Sequence, residues 1–434
     1  MTDWAFRALA AAAMAAIVAS PTAVARAAPI EEPPSLSAEA VLGARARGSN
    51  YQVEDPVRSD GFLQVFTIRT AQGRHHVEGR DLLEVRLREL QALATLQQMS
   101  TSQTYVNAAA AAAKKPVDLA VGLVTNPVDT IERSMSGVGT LFSRIGAAAS
   151  NPGRGRDSLA DSALGIASAK RQLARQLGVD PYTDFKPLAA ALDETARVTA
   201  LGNLTVSGAF MAIPGGAGVA VSYSKSAEDM GQIVFDKTPS ELRELNRGKL
   251  AALGVPAPLA GTFLDNTSFT PTDQTVIVAA LTRMTGVKNR QLFVARVATA
   301  STRDLAFFFR RRAELIADQH TRVAPFADFT DIIGFPLNRT AGGKVVAVLP
   351  LDQLAWTGPV SDLVASLDQM IKENRLGNAV EIRLSGTVTA AARQGIEEHG
   401  WTVVERLTTE PRARASAGAA QAAPGKAKPA PPGR

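Results

Sequence analysis

The chain contains no cysteine and few aromatic residues. The absence of cysteine from all 434 residues excludes disulfide bonds, a thiolate nucleophile and the acylated cysteine of a lipoprotein. Aromatic residues make up 5% of the chain, whereas hydrophobic residues as a whole make up 46%. A core built mainly from Ala, Val, Leu and Ile suits close packing between helices. The composition therefore favours a globular, predominantly helical protein.

The chain also lacks a basic face. Its net charge is +6, but residues 411–434 contribute five basic residues and no acidic one, namely Arg412, Arg414, Lys426, Lys428 and Arg434. The rest of the chain is therefore nearly neutral, and we expect no nucleic-acid partner. Residues 410–434 are rich in Ala, Pro and Lys, which predicts a disordered tail. Such a tail could attach to an anionic envelope polymer or lipid through salt-sensitive contacts.

Catalytic motifs are missing as well. The sequence has no Gly-x-Ser-x-Gly nucleophile motif and neither of the common glycine-rich nucleotide-binding patterns. The four histidines, His75, His76, His320 and His399, do not have the spacing of a metal site, because adjacent strand residues point to opposite faces. The sequence implies no metal and no cofactor, and it favours a role other than catalysis.

The first 25 residues resemble a cleavable signal peptide. Arg7 precedes twelve apolar residues at 8–19, and Pro21 then opens a short polar stretch. Residues 23–25, Ala-Val-Ala, offer the small side chains that signal peptidase selects, and residues 25–27, Ala-Arg-Ala, offer a second frame. Twelve residues are too few to span a bilayer, which needs about 20. We therefore predict export to the bacterial periplasm, with cleavage after Ala25.

The next segments predict a small β-rich part. A Pro-rich spacer occupies residues 26–50, and hydrophobic runs at 51–57 and 62–68 flank the turn Asp60-Gly61. A third run at 75–78 completes an antiparallel meander of about three strands. A helix should follow from Arg80 to about Met99. Residues 51–150 thus combine a β-meander with helices, and residues 151–157 have the composition of a linker.

Residues 158–333 are predicted to form a helical domain. Thr238-Pro239-Ser240-Glu241 and residues 270–273, Thr-Pro-Thr-Asp, are helix-start patterns, and residues 301–304 supply a third start. Residues 198–224 carry no charge over 27 positions but contain several glycines and a central Pro-Gly-Gly. Two short buried helices joined by a turn are the preferred interpretation, and insertion into a membrane is the alternative.

The hydrophobic periodicity changes in the last part of the chain. Residues 336–343 have linker composition, and strands are then expected at 345–349, 380–384 and 401–404, separated by helices at 359–371 and 389–399. This βαβαβ order predicts a small parallel sheet in a module of residues 344–409. The whole chain is therefore assigned to the α+β class, predominantly helical.

Two short segments are candidate binding sites. Arg310, Arg311 and Arg312 follow three phenylalanines on one helix. A helical core with a solvated edge is the preferred interpretation, and a cluster that binds an anionic envelope polymer is the alternative. Residues 385–387, Ser385, Gly386 and Thr387, follow the second parallel strand, where free amides could bind an anion. The preferred interpretation there is a threonine that caps the next helix.

Four sequence blocks resemble a family of uncharacterised exported proteobacterial proteins. The blocks are Asp60-Gly61-Phe62, residues 125–128 (Thr-Asn-Pro-Val), residues 177–182 (Leu-Gly-Val-Asp-Pro-Tyr) and residues 308–314 (Phe-Phe-Arg-Arg-Arg-Ala-Glu). The resemblance extends over most of the chain that would remain after export. It implies export and a modular build, and it brings no activity and no site residues.

Three functions are compatible with this sequence. The first is a periplasmic or envelope-associated protein that binds or scaffolds an unknown protein partner or polymer without catalysis. The second is a hydrolase or transferase acting on an envelope polymer, which would be favoured by a pocket where carboxylates meet His320 or the cluster at residues 310–312. The third is a membrane-inserted component built on residues 198–224.

Overall fold

The structure, a computed structural model, describes residues 27–113, 157–202, 204–211, 232–332 and 334–407. The predicted signal peptide, residues 151–156 of the predicted linker and the predicted basic tail lie outside the described residues. So does the second half of the uncharged segment at 198–224. Among the residues that the structure describes, no helix is both long and apolar enough to cross a membrane.

The N-terminal sheet has five antiparallel strands: β1 (Ser35–Leu36), β2 (Tyr51–Val53), β3 (Val57–Ser59), β4 (Gln64–Thr70) and β5 (Gly73–Glu78). Strand β4 is central, since it pairs with β2, β3 and β5, while β1 extends the sheet by pairing with β3. The prediction of a spacer over residues 26–50 is corrected here. This stretch contains β1 and also helix α1 (Ala38–Leu42). The Ser37 side chain caps the start of α1 by accepting a hydrogen bond from the Ala40 amide.

Five helices share a hydrophobic core with this sheet: α2 (Arg80–Ser100), α3 (Gln103–Ala113), α4 (Asp157–Leu177), α5 (Lys186–Leu201) and α6 (Val206–Met211). The predicted helix from Arg80 to about Met99 is confirmed as α2, and its side chains Leu83, Leu87 and Leu90 are buried. These side chains share one hydrophobic core with Phe66 and Ile68 of β4. The first core therefore joins the N-terminal sheet to the helices that follow it.

A second set of helices follows a helical turn at residues 232–236: α7 (Pro239–Ala252), α8 (Ala257–Asp265), α9 (Pro271–Arg283), α10 (Arg290–Val297) and α11 (Arg303–Arg322). Both predicted capping boxes are confirmed, because Thr238 exchanges hydrogen bonds with Glu241 and Thr270 does so with Asp273. The predicted third start is confirmed at Thr302, whose side chain accepts from the Leu305 amide.

The C-terminal sheet is mixed and larger than predicted. Its strands, in the spatial order β12-β10-β8-β7-β6, are β6 (Phe326–Ile332), β7 (Phe335–Thr340), β8 (Lys344–Leu349), β10 (Ala379–Leu384) and β12 (Thr402–Val404). Strands β8, β10 and β12 run parallel, while β6 and β7 form an antiparallel hairpin beside them. The linker prediction for residues 336–343 is therefore wrong over β7. The helical domain predicted for residues 158–333 has its last helix end at Arg322, and β6 begins at Phe326.

Smaller elements complete the C-terminal part. Strands β9 (Gln353–Leu354) and β11 (Thr387–Val388) form a parallel pair, and helices α12 (Gly358–Glu373) and α13 (Ala390–Glu398) connect the parallel strands. Val346 and Val348 of β8 belong to the core shared with α8–α11, whereas Val345 and Ala347 belong to the core that includes residues of α12 and α13. The sheet is therefore a middle layer between two sets of helices, and the α+β class is confirmed.

Helix α11 is the element that joins the cores. Its Phe307 belongs to the first core, and its neighbour Phe309 belongs to the second. A loop contact also links the two sheets, because the amides of Asp352 and Gln353 donate to the Phe62 carbonyl. The C-terminal part is thus attached to the N-terminal sheet both by packing and by backbone hydrogen bonds.

Candidate functional site

The structure brings carboxylates to Arg310 and Arg311. Nη1 of Arg310 lies 3.1 Å from a carboxylate oxygen of Asp273, and Nε of Arg311 lies 2.8 Å from Asp81. Both arginines also pair with Glu314, one turn further along α11. Each guanidinium is thus engaged within the chain, as expected for arginines that hold helices together.

Arg312 has different surroundings. Its side chain is fully buried, Nε donates to the Val348 carbonyl at 3.1 Å, and Nη2 donates to the Pro336 carbonyl. The guanidinium carbon lies 4.1 Å from the centre of the Phe335 ring, a cation–π distance. Burial lowers the pKa of Arg312 to about 9, and the nearby charge of Arg296 acts in the same direction. These contacts fit a structural role within the sheet.

Asp273 is the centre of a buried charge network. It is fully buried and accepts from Arg303 at 2.8 Å, from Arg310 and from the Thr270 amide at 2.8 Å. The Thr270 hydroxyl lies 3.0 Å from Asp273 Oδ2 and 3.2 Å from Asp180 Oδ2. A hydroxyl has one proton and can donate it to one of them only. Burial raises the pKa of Asp180.

Asp180 and Asp273 both contact the Thr270 hydroxyl, but their surroundings do not fit a catalytic pair. A general acid or base must come within hydrogen-bond distance of the substrate. Asp273 has 0% of its surface exposed, and its oxygens are occupied by arginine and threonine donors. The two carboxyls therefore hold α9, α11 and the loop that carries Asp180 together.

A second ion-pair group extends this network to α2. Asp184 accepts from Arg303 Nε at 2.8 Å and from Arg86, which in turn pairs with the buried Glu89 at 2.6 Å. Burial opposes ionisation of Asp184, but Arg303 and Arg86 hold its pKa below its usual value. Burial raises the pKa of Glu89 in spite of Arg86. The network therefore ties the N-terminal helices to α9 and α11.

The structure leaves little room for an anion at Ser385, Gly386 and Thr387. The Ser385 amide donates to the Leu349 carbonyl, and the Thr387 amide donates to the Asp352 carbonyl. A Cβ atom on Gly386 would lie 1.9 Å from that same Asp352 oxygen, so the glycine permits a close approach of two loops. The preferred interpretation of a capping threonine at 387 is also corrected. Thr389 caps α13 by accepting from the Ala392 amide, while Thr387 lies in β11.

The four histidines are dispersed. His75 packs edge-on against Phe185 at 5.1 Å, and His76 lies 3.1 Å from the Thr67 hydroxyl. His320 accepts from the Phe326 amide at 3.0 Å, and His399 lies 3.1 Å from Asp368. Within the described ranges, no group of three or more histidine and acidic residues has the geometry to hold a metal ion.

An open groove lies elsewhere, between α4, α6 and the helical turn at 232–236. Its volume is about 470 Å³. Two rows of polar side chains from α4 line the groove. One row is Arg171 and Arg175, the other is Gln172 and Gln176, and the two residues of each row are one helical turn apart. Hydroxyl groups complete the lining, from residues Ser168, Thr205 and Ser207. The groove therefore presents both positive charge and neutral hydrogen-bonding groups.

The turn at 232–236 holds both arginines of the groove. Arg171 Nε donates to the Phe235 carbonyl at 3.0 Å, and Arg175 Nη2 donates to Asp236 at 2.6 Å. The Arg175 guanidinium also lies 5.2 Å from the centre of the Phe235 ring. These contacts orient the guanidinium groups before any ligand binds, which lowers the entropic cost of binding.

This groove was not predicted from the sequence. The sequence signal was present as the paired spacing of Arg171 with Arg175 and of Gln172 with Gln176, which places four polar side chains on neighbouring rows of one helix. Phe235 lies 60 positions after Arg175 in the sequence, so only the folded chain brings it to the groove. Comparison of the chain with protein families, with curated proteins and with solved structures gives no match.

Proposed function

We propose that this chain is an exported envelope protein that binds an anionic, hydroxyl-rich polymer in the groove beside α4, without catalysing a reaction on it. The observation that carries the proposal is the pair of oriented arginines, Arg171 and Arg175, in an open polar groove. The signal-like residues 1–25 and the resemblance to exported proteobacterial proteins support the envelope as the place of action.

The chemistry of the groove selects the ligand class. Planar guanidinium groups suit carboxylate or phosphate groups, because they can donate two parallel hydrogen bonds. The amides of Gln172 and Gln176 suit hydroxyl groups, since each amide both donates and accepts. Asp236 neutralises part of the positive charge, so a densely charged polymer has less advantage than a glycan with spaced carboxylates. A carboxylated envelope glycan matches this combination.

A binding experiment with one charge change tests the proposal. We expect the chain without residues 1–25 to bind an oligogalacturonate, a carboxylated glycan, more tightly than a neutral maltooligosaccharide of equal length, as measured by calorimetry. The variant Gln172→Glu introduces a negative charge at an exposed position of the groove. It should weaken oligogalacturonate binding about tenfold, which corresponds to about 1.4 kcal/mol.

The matched control is Gln98→Glu, an exposed glutamine on α2, outside the groove lining. This variant should bind the oligogalacturonate within about twofold of the unmodified chain, because the added charge is the same and only its place differs. Equal weakening by both variants would show that net charge, and not the groove, determines binding. Equal affinity for charged and neutral glycans would reject the ligand class.

The basic residues at 411–434 should act separately from the groove. Their attraction to an anionic polymer or lipid is non-directional and screened by salt, whereas the groove contacts are directional. Removal of residues 411–434 should therefore weaken binding at low salt. The ratio of the affinities of the glutamine and glutamate forms at position 172, Gln172 and Gln172→Glu, should be the same with and without these residues. If the two forms bound equally after truncation, the binding would lie in the tail.

A further inference from the structure

The first described residues form an arm against the C-terminal part. The Ala28 nitrogen donates to Glu398 Oε2 at 3.2 Å, and Ala28 is 8% exposed within the core shared with α12 and α13. Ala27, the residue before it, is exposed. Pro29 and Ile30 after it are exposed as well, so the start of the arm is anchored in the core at Ala28.

The arm is held in place beyond Ala28. Glu31 donates from its amide to the Trp356 carbonyl at 2.9 Å, and its carboxylate accepts from the Trp356 amide at 2.7 Å. The same carboxylate accepts from the Thr389 hydroxyl at 2.5 Å. These contacts fix the position of the chain three residues after Ala28, so the Ala28 nitrogen is directed at Glu398 by the fold.

We propose that signal peptidase cuts between Ala27 and Ala28, and that the new α-ammonium group of Ala28 pairs with Glu398. The proposal rests on the proposed export of the chain. In the hydrolysis the C–N bond between Ala27 and Ala28 breaks, the oxygen of one water molecule joins the Ala27 carbonyl carbon to give a carboxylate, and both protons of that water go to the Ala28 nitrogen to give an ammonium group. The structure thus selects the second of the two small-residue frames, residues 25–27, over the frame at 23–25.

The new charge changes the contact with Glu398. An amide nitrogen can donate one hydrogen bond and carries no charge, whereas an ammonium group carries three donors and a positive charge. A charge-assisted hydrogen bond is about twice as strong as a neutral one. Glu398 Oε1 already accepts from the Gln394 side chain at 2.9 Å, so the carboxylate is oriented and its second oxygen remains for Ala28. Cleavage after Ala25 would leave the charge two residues away from this position.

The cut is tested by the intact mass of the protein recovered from the periplasm. We expect the mass of a chain that begins at Ala28. A mass that begins at Arg26 would overturn the proposed cut and leave the proposed export standing. A chain that retains Met1 and stays in the cytoplasm would overturn the export and the cut together.

The ion pair is tested on purified chains that begin either at Ala28, with a free amine, or at Arg26. The variant Glu398→Gln should lower the Tm of the Ala28 chain by about 1–2 °C more than it lowers that of the Arg26 chain. The control Glu397→Gln changes the adjacent exposed glutamate and should affect both chains equally. An equal effect of Glu398→Gln on the two chains would show that no ammonium pair exists.

Discussion

Arg312 donates from Nε to the backbone carbonyl of Val348 at 3.1 Å, inside the C-terminal sheet. Strand β7 pairs with β8 at Asn338–Val346, and the same antiparallel register continued by two positions would put Pro336 opposite Val348. Proline has no amide hydrogen and is rarely found in a central strand. The Arg312 guanidinium, which also binds the Pro336 carbonyl, therefore supplies donors where the ladder lacks one.

This relationship predicts that Arg312 is required for stability. Arg312→Met should lower the free energy of unfolding by about 2–4 kcal/mol, because it leaves two buried carbonyl oxygens without their donor. Arg312→Lys should also be destabilising, since a single ammonium group cannot reproduce the planar fork that reaches both carbonyls. Urea denaturation followed by circular dichroism measures both variants.

The control for this prediction is Arg88→Met, an exposed arginine on α2. It should change the free energy of unfolding by less than about 0.5 kcal/mol. If Arg312→Met were as stable as this control, another group would satisfy Val348 and Pro336, and the role given to Arg312 would be incorrect.

The same residues show what sequence could and could not predict. The threonine and proline helix starts depend on neighbours within three positions, so Thr238, Thr270 and Thr302 were identified correctly. Strand β7 was missed because Pro336 and a glycine pair resemble a linker locally. The compensating donor is 24 residues away on α11, and no local pattern links the two.

Removing the negative charge of the buried Asp273 should destabilise the protein more than removing the negative charge of an exposed aspartate. Asp273→Asn keeps the shape of the side chain but leaves Arg303 and Arg310 without their shared anion, and breaking such a buried pair costs about 3–5 kcal/mol. The matched control is Asp265→Asn, whose side chain is 72% exposed and pairs with Arg243. This control should cost less than about 1 kcal/mol in urea denaturation. Similar costs for the two variants would contradict the central place of Asp273 in the network.

Asp352 should make stability depend on pH. Its carboxylate accepts from the amides of Gln64 and Arg80 at the start of α2, and burial raises its pKa to about 6. Because this native pKa lies above the unfolded value of 3.8, the stability contributed by protonated Asp352 is present below about pH 4 and is lost as the pH rises through 6.

A comparison with Asp352→Asn isolates this contribution from those of other groups. The free energy of unfolding of the unmodified chain, relative to the variant, should fall by about 2–3 kcal/mol between pH 4 and pH 7. An NMR titration of the Asp352 carboxyl carbon should give a midpoint near 6. A midpoint below 4, or a difference that does not vary with pH, would contradict the prediction.

The candidate groove illustrates a second limit of sequence analysis. The arginine run at residues 310–312 is conspicuous in the sequence, yet its first two charges are paired within the chain. Arg171 and Arg175 are less conspicuous, because other residues separate them, and Arg175 is itself paired with Asp236. The local sequence does not show which groups the fold brings to an arginine, since Asp81 lies 230 positions from Arg311.

The last prediction concerns the cooperativity of unfolding. The abrupt change of periodicity near residue 340 favours a separate C-terminal module, but Arg339 lies in β7, where it pairs with Val345 of β8 and with Asp328 of β6. The arm at Glu31 and the loop at Phe62 add hydrogen bonds between the two ends of the chain. We therefore expect residues 344–407 to unfold together with the rest of the protein.

Two optical probes can measure this. Once residues 1–27 are removed, the remaining tryptophans are Trp356 and Trp401, both buried in the C-terminal part. Their fluorescence should follow the same urea transition as circular dichroism of the helices, because a two-state protein gives coincident curves with every probe. Native trypsin should spare Arg339, since a protease needs an extended, unpaired backbone and this residue is held in a central strand. Separate transitions, or early cleavage at Arg339, would instead mean that the contacts of β7 and of the arm are too weak to couple the C-terminal part to the helices.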